Sequence, residues 1–285
     1  MSGLVFFSLA ENEAEARNVA RFVRSLRRYG GRWRDAPVWC FGSTPAIHAA
    51  LKPVEVRLLP LIGDLPAYEF AGKVAAAAQA EELAGSLDSL VWFNPECLVL
   101  QPPELLELEH GIQAAFRPVH LRNIGQLPGQ PRDALWNGIY TAAGLHEPRN
   151  LVETYIEGQL ILPYFNTHLY AIRPSLGLLG RWWALFQRLV ADDRFQASAC
   201  SDELHRIFLH QAVLSVLLAP QRLRLLPPSY SYPLHLHRRV PVRRRPKRLD
   251  ELVCPVYEDE FHYPETLNGL VAGPELESFL NALNN

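Results

Sequence analysis

The sequence predicts an α/β fold, an open and mostly parallel mixed sheet flanked by helices, and two observations lead there. Short apolar runs of strand length alternate with helix-period segments through the first hundred residues, the pattern of βαβ units whose strands lie parallel. The chain has 285 residues, 48% of them hydrophobic and 20% charged, which is ordinary globular usage and enough apolar material for a large core.

Residues 4–9 are a continuous apolar run, too short for a helix and bounded by polar residues, and read as a buried strand. From 11 to 29, Ala16, Val19, Ala20, Phe22, Val23 and Leu26 recur at helical spacing. Acidic residues lead that segment and arginines close it, as the helix dipole favours, and Gly30-Gly31 ends it. Residues 37–41 read as a second strand, 46–51 as a short helix and 54–59 as a third strand. A loop rich in turn residues covers 60–68, an alanine-rich helix 70–83, and a strand 89–93. Beyond residue 100 the pattern loosens. A strand is expected over 111–119, a short helix over 132–143, one or two strands within 160–172, and helices over 176–190 and 202–218. From residue 223 the chain is rich in Pro, His and Arg, with strand-like fragments and a last helix near 276–283. No linker composition, repeat or low-complexity stretch divides it, so residues 1–285 read as one domain.

The formal charge of −2 provides no overall field toward nucleic acid or acidic membranes. No run of 18 apolar residues is present, so no membrane span is expected. The N-terminal residues lack the pattern of a secretory signal. Cys40, Cys97, Cys200 and Cys254 lie far apart with no C-x-x-C pair, which reads as reduced, buried thiols and a cytoplasmic location. Phosphate-loop, dinucleotide-fingerprint and nucleophile-elbow motifs are all missing. Trp136, Trp182 and Trp183 read as packing residues.

Parallel sheets bind ligands beyond the carboxyl ends of their strands, which directs attention to the residues just past Leu90-Val91-Trp92-Phe93. There stand Asn94-Pro95-Glu96, then the apolar Cys97-Leu98-Val99-Leu100, read as a further strand, and Pro102-Pro103. A polar break inside apolar chain either faces a cleft or forms an Asx-type turn. One local charge excess also stands out: seven cationic residues fall within 238–248. It reads as a solvated loop, as arginine forks for a diphosphate, or, with no interleaved aromatics to favour it, as a nucleic-acid patch.

The segment around Asn94-Pro95-Glu96 resembles the Asp-x-Asp segment of GT-A-type nucleotide-diphospho-sugar glycosyltransferases. Three other segments keep the same order. Phe70-Ala71-Gly72-Lys73 opens the preceding helix; Pro163-Tyr164-Phe165-Asn166-Thr167-His168 is similar to the family's Tyr-Phe-Asn-(Ser/Ala)-Gly strand; Phe208-Leu209-His210-Gln211-Ala212 is similar to its Asp-Gln helix. The resemblance implies a GT-A-like fold with a nucleotide-binding half over 1–100 and an acceptor-side half over 101–285. It implies a nucleotide-diphosphate sugar as donor, an acceptor it does not name, and a divalent cation, Mn or Mg. Glu96, Asn166, His210 and Gln211 would then be catalytic, and Leu9, Ala10, Lys73, Asn94 and His168 would hold the donor. Glu96 and His262 would ligate the metal, with Glu258 competing for the second place. Asn94, His168 and His210 stand where the family has Asp, Gly and Asp, so two readings arise: a transferase with weakened or metal-independent activity, or a non-catalytic descendant that binds. Both require residues 94–96 to open into the same hollow as the segments around 166 and 210.

Overall fold

The apolar run at the N-terminus becomes β1 (Leu4–Leu9), buried along its whole length, in a computed structural model that describes residues 3–257 and 270–283. Helix α1 (Glu13–Tyr29) starts two residues later than the spacing suggested because Asn12 caps it, accepting from Glu15 N at 3.0 Å. Its buried face contains all six of the anticipated apolar residues. Then come β2 (Val38–Phe41), α2 (Pro45–Leu51) and β3 (Arg57–Leu59). Helix α3 (Ala71–Ala84) is buried nearly all round, and its alanines let it lie close against both β1 and a later helix, α5 (Leu178–Val190). Strand β4 (Ser89–Phe93) comes after α3.

The second half supplies β5 (Ala114–Phe116), α4 (Ala134–Ala143), a small hairpin of β6 (Val152–Glu153) and β7 (Leu160–Ile161), and β8 (Leu169–Ile172). After α5 come α6 (Asp193–Ala199), α7 (Glu203–Leu218), β9 (Leu223–Leu225), β10 (Tyr230–Pro233), β11 (Cys254–Val256) and α8 (Pro274–Leu283).

Seven strands form one mixed sheet in the order β3-β2-β1-β4-β8-β5-β9. All neighbours are parallel except β8, which runs antiparallel to both β4 and β5. The reversal sets up the rest of the molecule: the start of β8 lies beside the end of β4, with Leu169 opposite Phe93. The sheet separates two apolar layers by the alternation of its side chains. Val5, Phe7 and Leu9 pack with α3, α4, α5 and α7 on one face, and Leu4 and Phe6 with α1 and α2 on the other. A third cluster gathers Leu98, Leu100, Tyr232, Val240, Tyr257 and α8.

Several elements differ from expectation. Residues 97–100 are extended and buried but form no strand; Cys97 makes an isolated bridge to Val256, and Leu98 N donates to Pro255 O at 3.0 Å. Pro255 has no N–H to return, so the ladder cannot propagate. The strand expected over 111–119 is confined to β5, between Gly111 at φ +85° and Pro118. The strand expected over 54–59 shortens to β3, because Val54 N turns back to Leu51 O at 3.1 Å. Helix α6 was not anticipated. The basic run is only partly a solvated loop: Arg244 bonds Glu153 and the Tyr155 carbonyl, and Arg245 the carbonyls of Val240 and Arg238, while Arg238, Arg239, Arg243, Lys247 and Arg248 are exposed. All four cysteines are buried free thiols, and Trp136 and Trp182 are buried. No helix among the described residues is long and apolar enough to cross a membrane.

Candidate functional site

Where β4 and β5 end and β8 begins, the sheet opens into a cavity of about 230 Å³, closed from the side by the first turn of α3 and the middle of α7. Asn94, the first residue past β4, donates its backbone N–H to His168 O at 2.7 Å, continuing the β4–β8 ladder to its edge. A backbone turn closes the segment, Cys97 N donating to Asn94 O at 3.0 Å. The Asn94 side chain is therefore not needed for the turn. Its Oδ1 accepts from Trp92 Nε1 and from Lys73 Nζ, both at 3.0 Å. Two donors on one oxygen fix the amide's orientation, and Nδ2, with no acceptor among the described residues, is the donor that Asn94 offers to the cavity it lines.

Lys73 sits on the first turn of α3 and is only 5% exposed. Its ammonium also donates to Thr167 O at 2.8 Å and Thr167 Oγ1 at 3.1 Å, and lies 5.1 Å from the centre of the Trp92 ring. Its hydrogen-bond partners are all neutral oxygens. Burial pushes its pKa down to about 7, against the pull of Cys97 and Glu96.

Thr167 links Lys73 to α7. Its hydroxyl is 3.3 Å from His210 Nε2 and 3.4 Å from Gln211 Oε1. His210 Nδ1 faces the Ile207 carbonyl at 2.9 Å; a carbonyl only accepts, so Nδ1 carries the proton and Nε2 accepts from Thr167. Burial and the nearby Lys73 charge hold His210 well below the usual imidazole range, hence neutral. Phe70 stacks on its ring, centroids 4.2 Å apart. Across the cavity, Asn166 clasps three segments: Oδ1 accepts from His168 N at 2.7 Å and Ser231 Oγ at 3.3 Å, and Nδ2 donates to His120 Nε2 at 3.1 Å. His120 thus carries its proton on Nδ1, which is buried without a partner. Burial lowers His120 far below its ordinary value, His168 to about 3 and His235 to about 4. The cavity wall is a set of neutral imidazoles around one amine.

Backbone strain collects at the same place. The non-glycine residues with positive φ among the described residues are Phe70 (+61°), Asn123 (+45°) and Ser231 (+51°). The first two line the cavity and the third bonds Asn166. Such conformations cost about 1–3 kcal/mol each and persist mainly at functional sites.

Of the residues singled out from sequence, Lys73, Asn94, Asn166, His168, His210 and Gln211 line this one cavity. Leu9 and Ala10 do not; both are buried core residues, and Ala10 N bonds Phe41 O at 2.9 Å. Glu96 does not line it either, its backbone carbonyl accepting from Tyr257 N at 3.0 Å. His262 and Glu258 lie outside the described residues. His120, Thr167, Phe70, Asn123 and His235 were not singled out for it. His120 comes after β5 as Asn94 comes after β4, so the same strand-end reasoning would have found it had the strand been ended at residue 116. Among the described residues, the divalent cation expected from the resemblance finds no fitting donors in this cavity. No Asp or Glu is among the described lining residues, and no three His, Cys, Asp or Glu among the described residues converge on a metal position. Mg or Mn prefers charged oxygens, and the amide oxygen of Asn94 already holds an ammonium. No protein-family model matches the chain, and no curated protein matches it in sequence.

Proposed function

We propose that this cavity binds a nucleotide-diphosphate sugar and that the protein is a GT-A-like glycosyltransferase. The observation that carries the reading is the meeting of three sequence segments, around 94, 166–168 and 210–211, in one cavity at the carboxyl end of β4. The antiparallel insertion of β8 accounts for part of that meeting, since it returns residues 166–168 to the end of β4. In this reading the Lys73 ammonium faces the diphosphate, Asn94 Nδ2 donates a hydrogen bond, and the imidazole and Phe70 surfaces enclose the sugar. Transfer breaks the bond between the anomeric carbon and the diphosphate oxygen, the electron pair leaving with the nucleoside diphosphate while an acceptor hydroxyl attacks the carbon and its proton passes to the departing diphosphate oxygen.

A second reading, donor binding without transfer, is favoured by one specific feature. Both polar ends of Asn166 and both nitrogens of His210 are already engaged within the protein, and no carboxylate base is among the described lining residues. Thermal melting with UDP, GDP and their sugars tests the common part. A ligand at 100 times its Kd stabilises by about 2.7 kcal/mol, which for a chain of this size is a rise of roughly 4 °C. Release of nucleoside diphosphate from the stabilising sugar nucleotide separates transfer from binding. No melting response to any nucleotide would remove both readings.

A further inference from the structure

Protonated, Lys73 is a buried positive charge in the cavity wall that the described side chains do not neutralise by direct contact. Lys73 Nζ is held by one amide oxygen, one carbonyl and one hydroxyl, and lies against the faces of Trp92 and Phe70 at 5.1 and 5.8 Å. A second buried cation stands close by. Arg117, 2% exposed, donates Nη1 to the carbonyls of Tyr230 and Ser231, and its Nη2 has no partner. Its field is felt at His120 and His168. Charge removed from water and met only by neutral dipoles is unfavourable until a counter-charge arrives. The surrounding imidazoles are neutral and add no charge of their own. A divalent cation would be repelled here by the ammonium, from which Asn94 Oδ1 already accepts at 3.0 Å.

From this we infer that Lys73 supplies the positive charge that meets the diphosphate of the ligand, and that the cavity binds it without a divalent cation. The inference rests on the nucleotide-sugar reading for the identity of its ligand, but the charge argument stands apart from it. Asn94 is part of the same device. Its amide holds the ammonium through Oδ1 while presenting Nδ2 to the incoming anion, a division of labour that a carboxylate at this position would abolish by pairing with Lys73 directly.

The test is calorimetric titration of inorganic pyrophosphate and of UDP into the full chain, once in EDTA and once with Mn²⁺, for the natural protein, Lys73→Met and Asn94→Asp. Folding of each variant is monitored by circular dichroism and ligand-free melting. Both ligands are expected to bind in EDTA, with Mn²⁺ changing Kd by less than about twofold, and each variant is expected to weaken binding at least tenfold. Asn94→Asp decides the matter should Lys73→Met not fold. Binding of UDP only with Mn²⁺, or unchanged binding by the variants, overturns the role of Lys73 and leaves the nucleotide-sugar reading in place. Metal-free pyrophosphate binding that the variants abolish, with no response to any nucleotide, supports Lys73 and overturns the nucleotide-sugar reading. No response to either ligand in either condition overturns both.

Discussion

At the scale of single residues, the polar break at 94–96 divides into two unlike parts. Asn94 lines the cavity and orders Lys73 and Trp92, whereas Glu96 is not among its walls. Asn94→Ala should therefore weaken ligand binding more than Glu96→Gln does, and equal losses in a melting-shift titration would contradict that order. Asn166 gives a sharper stability prediction. Replacing it with Ala removes three bonds at a residue only 4% exposed and strands the His168 N–H and the His120 ring. Buried groups left unsatisfied cost about 1–3 kcal/mol each, so urea denaturation of Asn166→Ala should show a loss of roughly 3 kcal/mol. These residues were legible because polar side chains at the ends of apolar runs have few places to go. His120 was not, because Val119 and Pro118 extend the apolar run past the true end of its strand, and run length alone does not register proline's missing N–H.

Among the elements, the helices with strong periodicity and local caps were read to within a few residues, as α1 and α4 demonstrate. Short α6 was invisible because its seven residues carry one buried aromatic and depend on docking rather than pattern. That dependence is testable. Phe195 of α6 lies over Gly138 of α4, where an added Cβ would stand 2.5 Å from Phe195 Cε2 and 2.8 Å from Cδ2. The ring is 8% exposed and packed within the core, so it cannot swing away freely. Gly138→Ala gains helix propensity of about 1 kcal/mol, but overpacking costs typically 1–3 kcal/mol. The clash should win. A net fall in the urea midpoint, with faster amide exchange across residues 193–199 than elsewhere, is expected; a stabilised variant would show that the α4–α6 contact yields.

For the molecule as a whole, the alternation of strands and helices could foretell parallel βαβ units but not the insertion of β8 between β4 and β5. Pairing order is fixed by tertiary packing and leaves little mark on a four-residue strand. That insertion brings His168 to the ends of β4 and β5, where α7 adds His210, and the burial of the imidazoles there makes a prediction about the whole chain. His168 and His235 are lowered to about 3 and about 4, and His120 and His210 well below the ordinary 6.5. The unfolded chain therefore binds more protons than the folded one once the pH falls below about 6.5, and stability must fall as the medium is acidified. Lys73, lowered from 10.5 to about 7, acts in the same direction over a higher window: stability rises as pH climbs from about 7 toward 10.5. The thiols oppose this. Burial raises Cys40 from 9.0 to about 12 and Cys97, Cys200 and Cys254 above 9.0 as well, so the folded chain holds protons that the unfolded chain releases, and stability falls above about pH 9. The urea midpoint should accordingly peak between about pH 7 and 9. Its acid limb should lie below about pH 6.5, where unfolding takes up protons on these imidazoles and the midpoint falls from pH 6 to pH 5. A midpoint that stays level from pH 7 to pH 5 would mean that the imidazoles are solvated and that the cavity is not a dry, positively charged enclosure.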